Sequence, residues 1–170
     1  MRRTALLPAL VGSAIFLGVG FAVTVALPTA DASNTDTADH ARQYTVGELK
    51  GRDLYTDLGC VTCHTQQVRD VFADVDLAQR PTRAGDTLAD RPGLLGAARF
   101  GPDLTCVGDR VPGTEPDTGA DERVAAMVDY LRHPAEVHPG SLMPDYQLLA
   151  DAELNRLATY LVALTCGDLK

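Results

Sequence analysis

The pentapeptide Cys60-Val61-Thr62-Cys63-His64 constrains this chain more than any other stretch. Two thiols separated by two residues reach neighbouring edges of one porphyrin, and the imidazole that follows falls beneath its iron. The pattern therefore reads as a C-x-x-C-H site for covalent attachment of one haem c. On this reading Cys60 and Cys63 form the thioether bonds and His64 supplies one axial ligand. Paired cysteines also serve as redox dithiols or as half of a zinc site. The fixed histidine argues against the first, and the absence of a second C-x-x-C argues against the second.

The amino terminus sets where such a site would lie. Arg2 and Arg3 precede an uncharged apolar run from Leu6 to Pro28, 23 residues long. As a helix that run crosses a hydrocarbon core of roughly 30 Å. We expect residues 1–28 to be a membrane anchor, with an uncleaved or cleaved signal peptide as the other reading, since Ala30-Asp31-Ala32 offers a weak small-x-small site. The two arginines hold the amino terminus in the cytoplasm and send the remainder to the outer face, where disulfides are permitted. Residues 29–43, rich in Ala, Asp, Thr and Ser, read as a flexible tether that includes His40. Residues 44–168 form the expected domain.

The charge balance excludes one class of partner. The chain carries a net charge of −8, and all 23 of its acidic residues lie beyond residue 30. Nucleic acid is not expected to bind such a surface.

Within the domain the apolar periodicity is helical. Thr45-Val46-Gly47-Glu48 has the form of a capping box opening a helix to about Leu58. Gly51 and Tyr55 share a face of that helix. A second helix, from Ala152 to Leu164, places Leu157 and Tyr160 to meet them. A third runs from Asp121 to Leu131 and ends at Pro134; its Met127 belongs to the apolar stripe and reads as packing. Between His64 and Leu104 the proline and glycine content predicts a long loop without regular structure. Cys106 and Cys166 remain as a disulfide or as two buried thiols. The turn-rich segment Pro139 to Tyr146 displays Met143, a thioether that a loop can bring over the ring, and His133 and His138 compete for the same position.

Gly51/Tyr55 crossing Leu157/Tyr160, with C-x-x-C-H after the first helix, resembles the class I cytochrome c fold. That implies an all-α domain behind the transmembrane helix. The ordered series C-V-T-C-H-T-Q-Q-V-R, A-D-V, R-A-G, D-R-P and G-P-D-L looks like the membrane-anchored monohaem cytochrome c subunit of cbb3-type haem-copper oxidases. Thr65-Gln66-Gln67 is its most specific part.

The resemblance implies that Pro102 offers its carbonyl to the second ring nitrogen of His64 and that Met143, in its S-x-M-P setting, is the distal iron ligand. Arg83 and Arg91 are then candidates to pair with haem propionates or with an oxidase subunit. The function implied is single-electron transfer, not catalysis by this chain alone. Electrons would come from another c-type cytochrome and pass to the catalytic haem-copper subunit. Two alternatives stand beside this. One is the small cytochrome c subunit of a nitric oxide reductase. The other is a haem-based sensor or peroxidase, which needs a displaceable sixth ligand.

Overall fold

A computed structural model describes residues 3–30, 42–78, 81–82, 93–115 and 117–166. Helices and loops make up all of it, with no strand among the described residues. Arg2, His40, Arg83 and Arg91 lie outside the described residues, as does most of the expected tether.

Helix α1 (Arg3–Phe21) continues through a π turn at Ala22–Ala26 into a last turn at Leu27–Ala30. Its apolar part, Leu7–Ala30, is 24 residues long with a mean hydropathy of 2.3, and none of it is buried. At 1.5 Å per residue that is about 36 Å, enough to cross a bilayer. The hydroxyls of Thr24 and Thr29 donate back to Gly20 O at 2.7 Å and Val25 O at 2.8 Å. Polar groups on an apolar helix are thereby satisfied within it, as a lipid environment requires. Thr29 and Ala30, read as tether from sequence, belong to this helix.

The domain is framed by α2 (Val46–Asp57), α5 (Ala120–Arg132) and α7 (Asp151–Ala163), with α7 packed against both of the others. The capping box forms as expected: Glu48 N–H donates to Thr45 Oγ1 at 3.3 Å and Thr45 N–H donates to Glu48 Oε2 at 2.6 Å. At the α2/α7 crossing Gly51 lies against the backbone of Arg156, where an added Cβ would come within 2.6 Å of Tyr160 Cβ. Tyr55, Leu157 and Tyr160 are fully buried there, and the Tyr55 and Tyr160 rings stand 5.8 Å apart at 60°. Met127, Val128 and Leu131 carry α5 into the same core. Met127 is thus a packing residue, as its place in the stripe implies. Helix α5 ends at Arg132, and Pro134 opens a further short helix, α6 (Pro134–Val137).

Two sequence expectations need correction. The segment after His64 is not without regular structure: it contains α4 (Phe72–Ala78), beyond the single turn of α3 (Cys60–Cys63). Asp74 accounts for this, because its carboxylate accepts the Arg69 backbone N–H at 3.2 Å and binds the Arg69 guanidinium at 2.7 and 3.1 Å. A side chain closing the start of a helix stabilises one too short to show a period. The second correction concerns Arg42, assigned to the tether. It is buried, and its guanidinium donates to Thr105 O at 3.1 Å and Thr165 O at 2.8 Å. The folded unit therefore begins by Arg42.

Cys106 and Cys166, 60 positions apart in sequence, are joined through sulfur with Cα atoms 5.1 Å apart. The bridge ties the loop after Leu104 to the end of α7, and Asp109 Oδ2 accepts the Cys166 N–H at 2.6 Å beside it. Closing a loop of that length stabilises by about 4 kcal/mol in the chain-entropy account. Changing both cysteines to alanine is expected to lower the free energy of unfolding by roughly 2–4 kcal/mol, measured as a lower urea midpoint with an unaltered slope.

Candidate haem-binding site

Leu58 and Gly59 end α2, and the chain turns directly into α3, so the two thiols of C-x-x-C-H lie on one helical turn. Both are unpaired and half-buried. Burial pushes the Cys60 thiol above its ordinary range, which keeps it protonated rather than a free thiolate. His64 follows in extended conformation, and its own carbonyl accepts the Tyr55 hydroxyl at 2.9 Å. The residue at the α2/α7 crossing thereby also fixes the histidine's backbone. That fully buried hydroxyl has its pKa raised by burial first, so it stays a donor.

The imidazole is held from the other side. His64 Nδ1 lies 2.9 Å from Pro102 O. A carbonyl only accepts, so Nδ1 carries the proton, and in the neutral ring the lone pair falls on Nε2. The approach is possible because Gly101 lacks a side chain: a Cβ there would press on the imidazole and sit 2.7 Å from Nε2. Gly101 N–H donates to Cys63 O at 3.0 Å, which locks this contact to α3.

The triplet Thr65-Gln66-Gln67 ties the turn to the rest of the domain. Gln66 Oε1 accepts the Tyr160 hydroxyl at 3.0 Å, and Gln66 N–H donates to Leu94 O at 2.8 Å. Thr65 O accepts Leu104 N–H at 2.9 Å, and Gln67 N–H donates to Asp103 Oδ2 at 3.1 Å. The most specific part of the sequence pattern thus joins the cysteine turn to α7 and to the loop that carries Pro102.

Met143 is half-buried and packs on the same core as Cys60. Its N–H donates to Ser141 Oγ at 3.2 Å, and the Tyr146 N–H donates to Leu131 O at 3.0 Å, which fastens the segment to α5. Tyr146 brings the two halves together: its hydroxyl oxygen is 3.8 Å from Cys60 Sγ. Burial, then the neighbouring Cys60, raises the Tyr146 pKa. Sequence reasoning passed over Tyr146, although it lies three residues beyond Met143 in the same turn-rich segment. It also passed over Gly101, whose importance depends on a contact across 37 residues. The competing imidazoles have other neighbours: His133 Nδ1 is 3.9 Å from Glu136 Oε1, and the His138 ring meets Tyr130 edge-on at 5.7 Å.

These residues fit a haem. Two thiols outside any disulfide stand on one turn beside an imidazole whose Nδ1 is anchored and whose Nε2 has no hydrogen-bond partner among the described residues. A thioether rests on the same apolar core.

A family model described as "Cytochrome C oxidase, mono-heme subunit/FixO" matches residues 2–165. The chain belongs to the FixO family. No curated protein shows significant similarity to it. The match runs from the N-terminal apolar helix to the end of α7, so that helix and the domain are both parts of one family pattern. FixO proteins are mono-haem cytochrome c subunits of a haem-copper oxidase complex, of the cbb3 type. This chain accordingly has the cytochrome c fold, binds one haem and has other oxidase subunits as partners.

Proposed function

We propose that this FixO subunit is a single-electron carrier whose haem is bound covalently to Cys60 and Cys63 and ligated by His64 and Met143. The observation that carries this reading is the Pro102 carbonyl bound to His64 Nδ1, because it leaves Nε2 as the nitrogen that would ligate iron. The haem, once bound, supplies an iron that cycles between ferrous and ferric. The protein's own groups do the rest. Pro102 O holds the proton on Nδ1 and makes the imidazole a stronger donor. Tyr55 and Gln66 fasten the turn that would carry the haem to the α2/α7 crossing. Thioether sulfur favours the reduced state and raises the potential. The buried faces of α2, α5 and α7 exclude water.

The domain lies on the outer face of the cytoplasmic membrane in this reading, since arginines at the amino terminus stay inside. It takes electrons from another c-type cytochrome and delivers them to the catalytic haem-copper subunit. Alone it carries out no catalysis. The test is purification from native membranes in mild detergent. A subunit whose haem survives denaturing electrophoresis and which travels with a copper-containing subunit supports the proposal. A lone, colourless or zinc-bearing chain defeats it.

Changing Met143 to leucine is expected to abolish the sulfur-to-iron charge-transfer band near the red end of the oxidised spectrum. It should also open the iron to carbon monoxide in the reduced state. An unaltered band would move the sixth ligand to another residue, His133 or His138 first.

A further inference from the structure

Beside the cysteine turn lies a surface that the proposed chemistry does not use. Phe72 and Phe100 are 86% and 83% exposed, and Val71 is 44% exposed. They belong to separate segments, the start of α4 and the loop before Pro102, that one ion-pair cluster links. Asp74, in the first turn of α4, binds Arg69 at 2.7 Å and is met by Arg99 at 3.5 Å. Two phenylalanines facing water are costly to leave uncovered, and such an apolar group marks an interaction site.

The arginines point to the kind of cover. Asp74 already accepts three hydrogen bonds from Arg69, so among the described residues Arg99 has one long contact, to an oxygen that is already shared. Arg99 also adopts a left-handed backbone conformation, φ 49°. Glycine or asparagine would take that conformation at less cost, about 1 kcal/mol or more. Arg69 and Arg99 stand against Asp70 and Asp74, so the patch is balanced on a chain of net charge −8, and Arg99 keeps donors to spare. An acidic chain is repelled by an anionic lipid surface, and α4 is too short to lie in a membrane interface as an amphipathic helix. Phenylalanine and arginine together are instead the residues enriched at the cores of protein interfaces.

We propose that Val71, Phe72 and Phe100, with Arg99 at their edge, form the surface on which this subunit docks to an apolar, carboxylate-bearing face of another oxidase subunit. This rests on the electron-carrier reading and deepens it. The Arg99-Phe100 step is bracketed by Ala98 N–H donating to Thr62 O and Gly101 N–H donating to Cys63 O, both at 3.0 Å. A partner seated there stands directly beside the haem turn, where a short electron path is needed.

The test uses the full-length subunit in its native membrane, with a photo-reactive benzoylphenylalanine in place of Phe72. Illumination should give a crosslink to another subunit of the oxidase. Adducts to lipid alone, or only to this chain's own residues 83–92, would overturn the proposal. In parallel, Phe72→Ser/Phe100→Ser should lower the fraction retained with the catalytic subunit about tenfold or more, and Arg99→Gln should lower it less. Haem staining and the midpoint potential of the released subunit should stay unchanged in both. Variants that keep their haem and remain bound as wild type would sink the docking surface alone. A wild-type subunit without stainable haem would remove the electron-carrier reading beneath it.

Discussion

Changing Cys60 and Cys63 together to alanine is expected to abolish covalent haem completely. On a denaturing gel the wild-type band should keep its haem-dependent peroxidase stain and the double variant should show none. Either single change should leave one thioether and a weaker band. Both cysteines are half-buried at the edge of the core, so their truncation removes little packing. The apo chain should nonetheless be less stable, because a ligand that binds only the folded state adds its binding free energy to folding. Helical circular dichroism of the variant distinguishes the two effects. A double variant that still stains would place the attachment elsewhere and sink the C-x-x-C-H reading.

Gly51→Leu is expected to have the largest effect on folding. A side chain there meets the Arg156 carbonyl and Tyr160 Cβ, both part of α7 and neither able to swing aside. Moving α7 away uncovers Tyr55, Leu157 and Tyr160, all fully buried. Overpacking of this kind costs about 3 kcal/mol or more, a large share of the roughly 5–15 kcal/mol that holds a domain together. The loss should extend to the site, since Tyr55 holds the His64 carbonyl and Tyr160 holds Gln66. Denaturant titration of the haem-loaded protein measures it. A change below about 1 kcal/mol would show that the α2/α7 crossing is not what supports the cysteine turn.

The elements that position the site were largely legible in the sequence because they depend on local patterns. The capping box at Thr45 and Glu48 opens α2 one residue later, and the apolar period ending at Leu164 runs along α7 to Ala163. The Gly51/Tyr160 crossing could be anticipated because a missing side chain and an aromatic ring on facing helices leave one close arrangement. Helix α4 was not legible. It is held by Asp74 clasping Arg69, an ion pair that no hydrophobic period announces. The structural place of Arg42 was hidden for a similar reason: its acceptors, Thr105 O and Thr165 O, lie 63 and 123 positions away.

By itself the sequence carried the C-x-x-C-H motif, the helical class and a helix long enough to cross a membrane, since two thiols and an imidazole at fixed spacing, a 3.6-residue period and an uncharged run of membrane length are all short-range properties. Only the tertiary structure decided how the site is completed. The Gly101 contact with the imidazole, the meeting of Tyr146 with Cys60, and that of Arg99 with Asp74 each join segments distant along the chain. Such contacts follow from how the helices pack, and packing is a property of the whole core rather than of any stretch of residues.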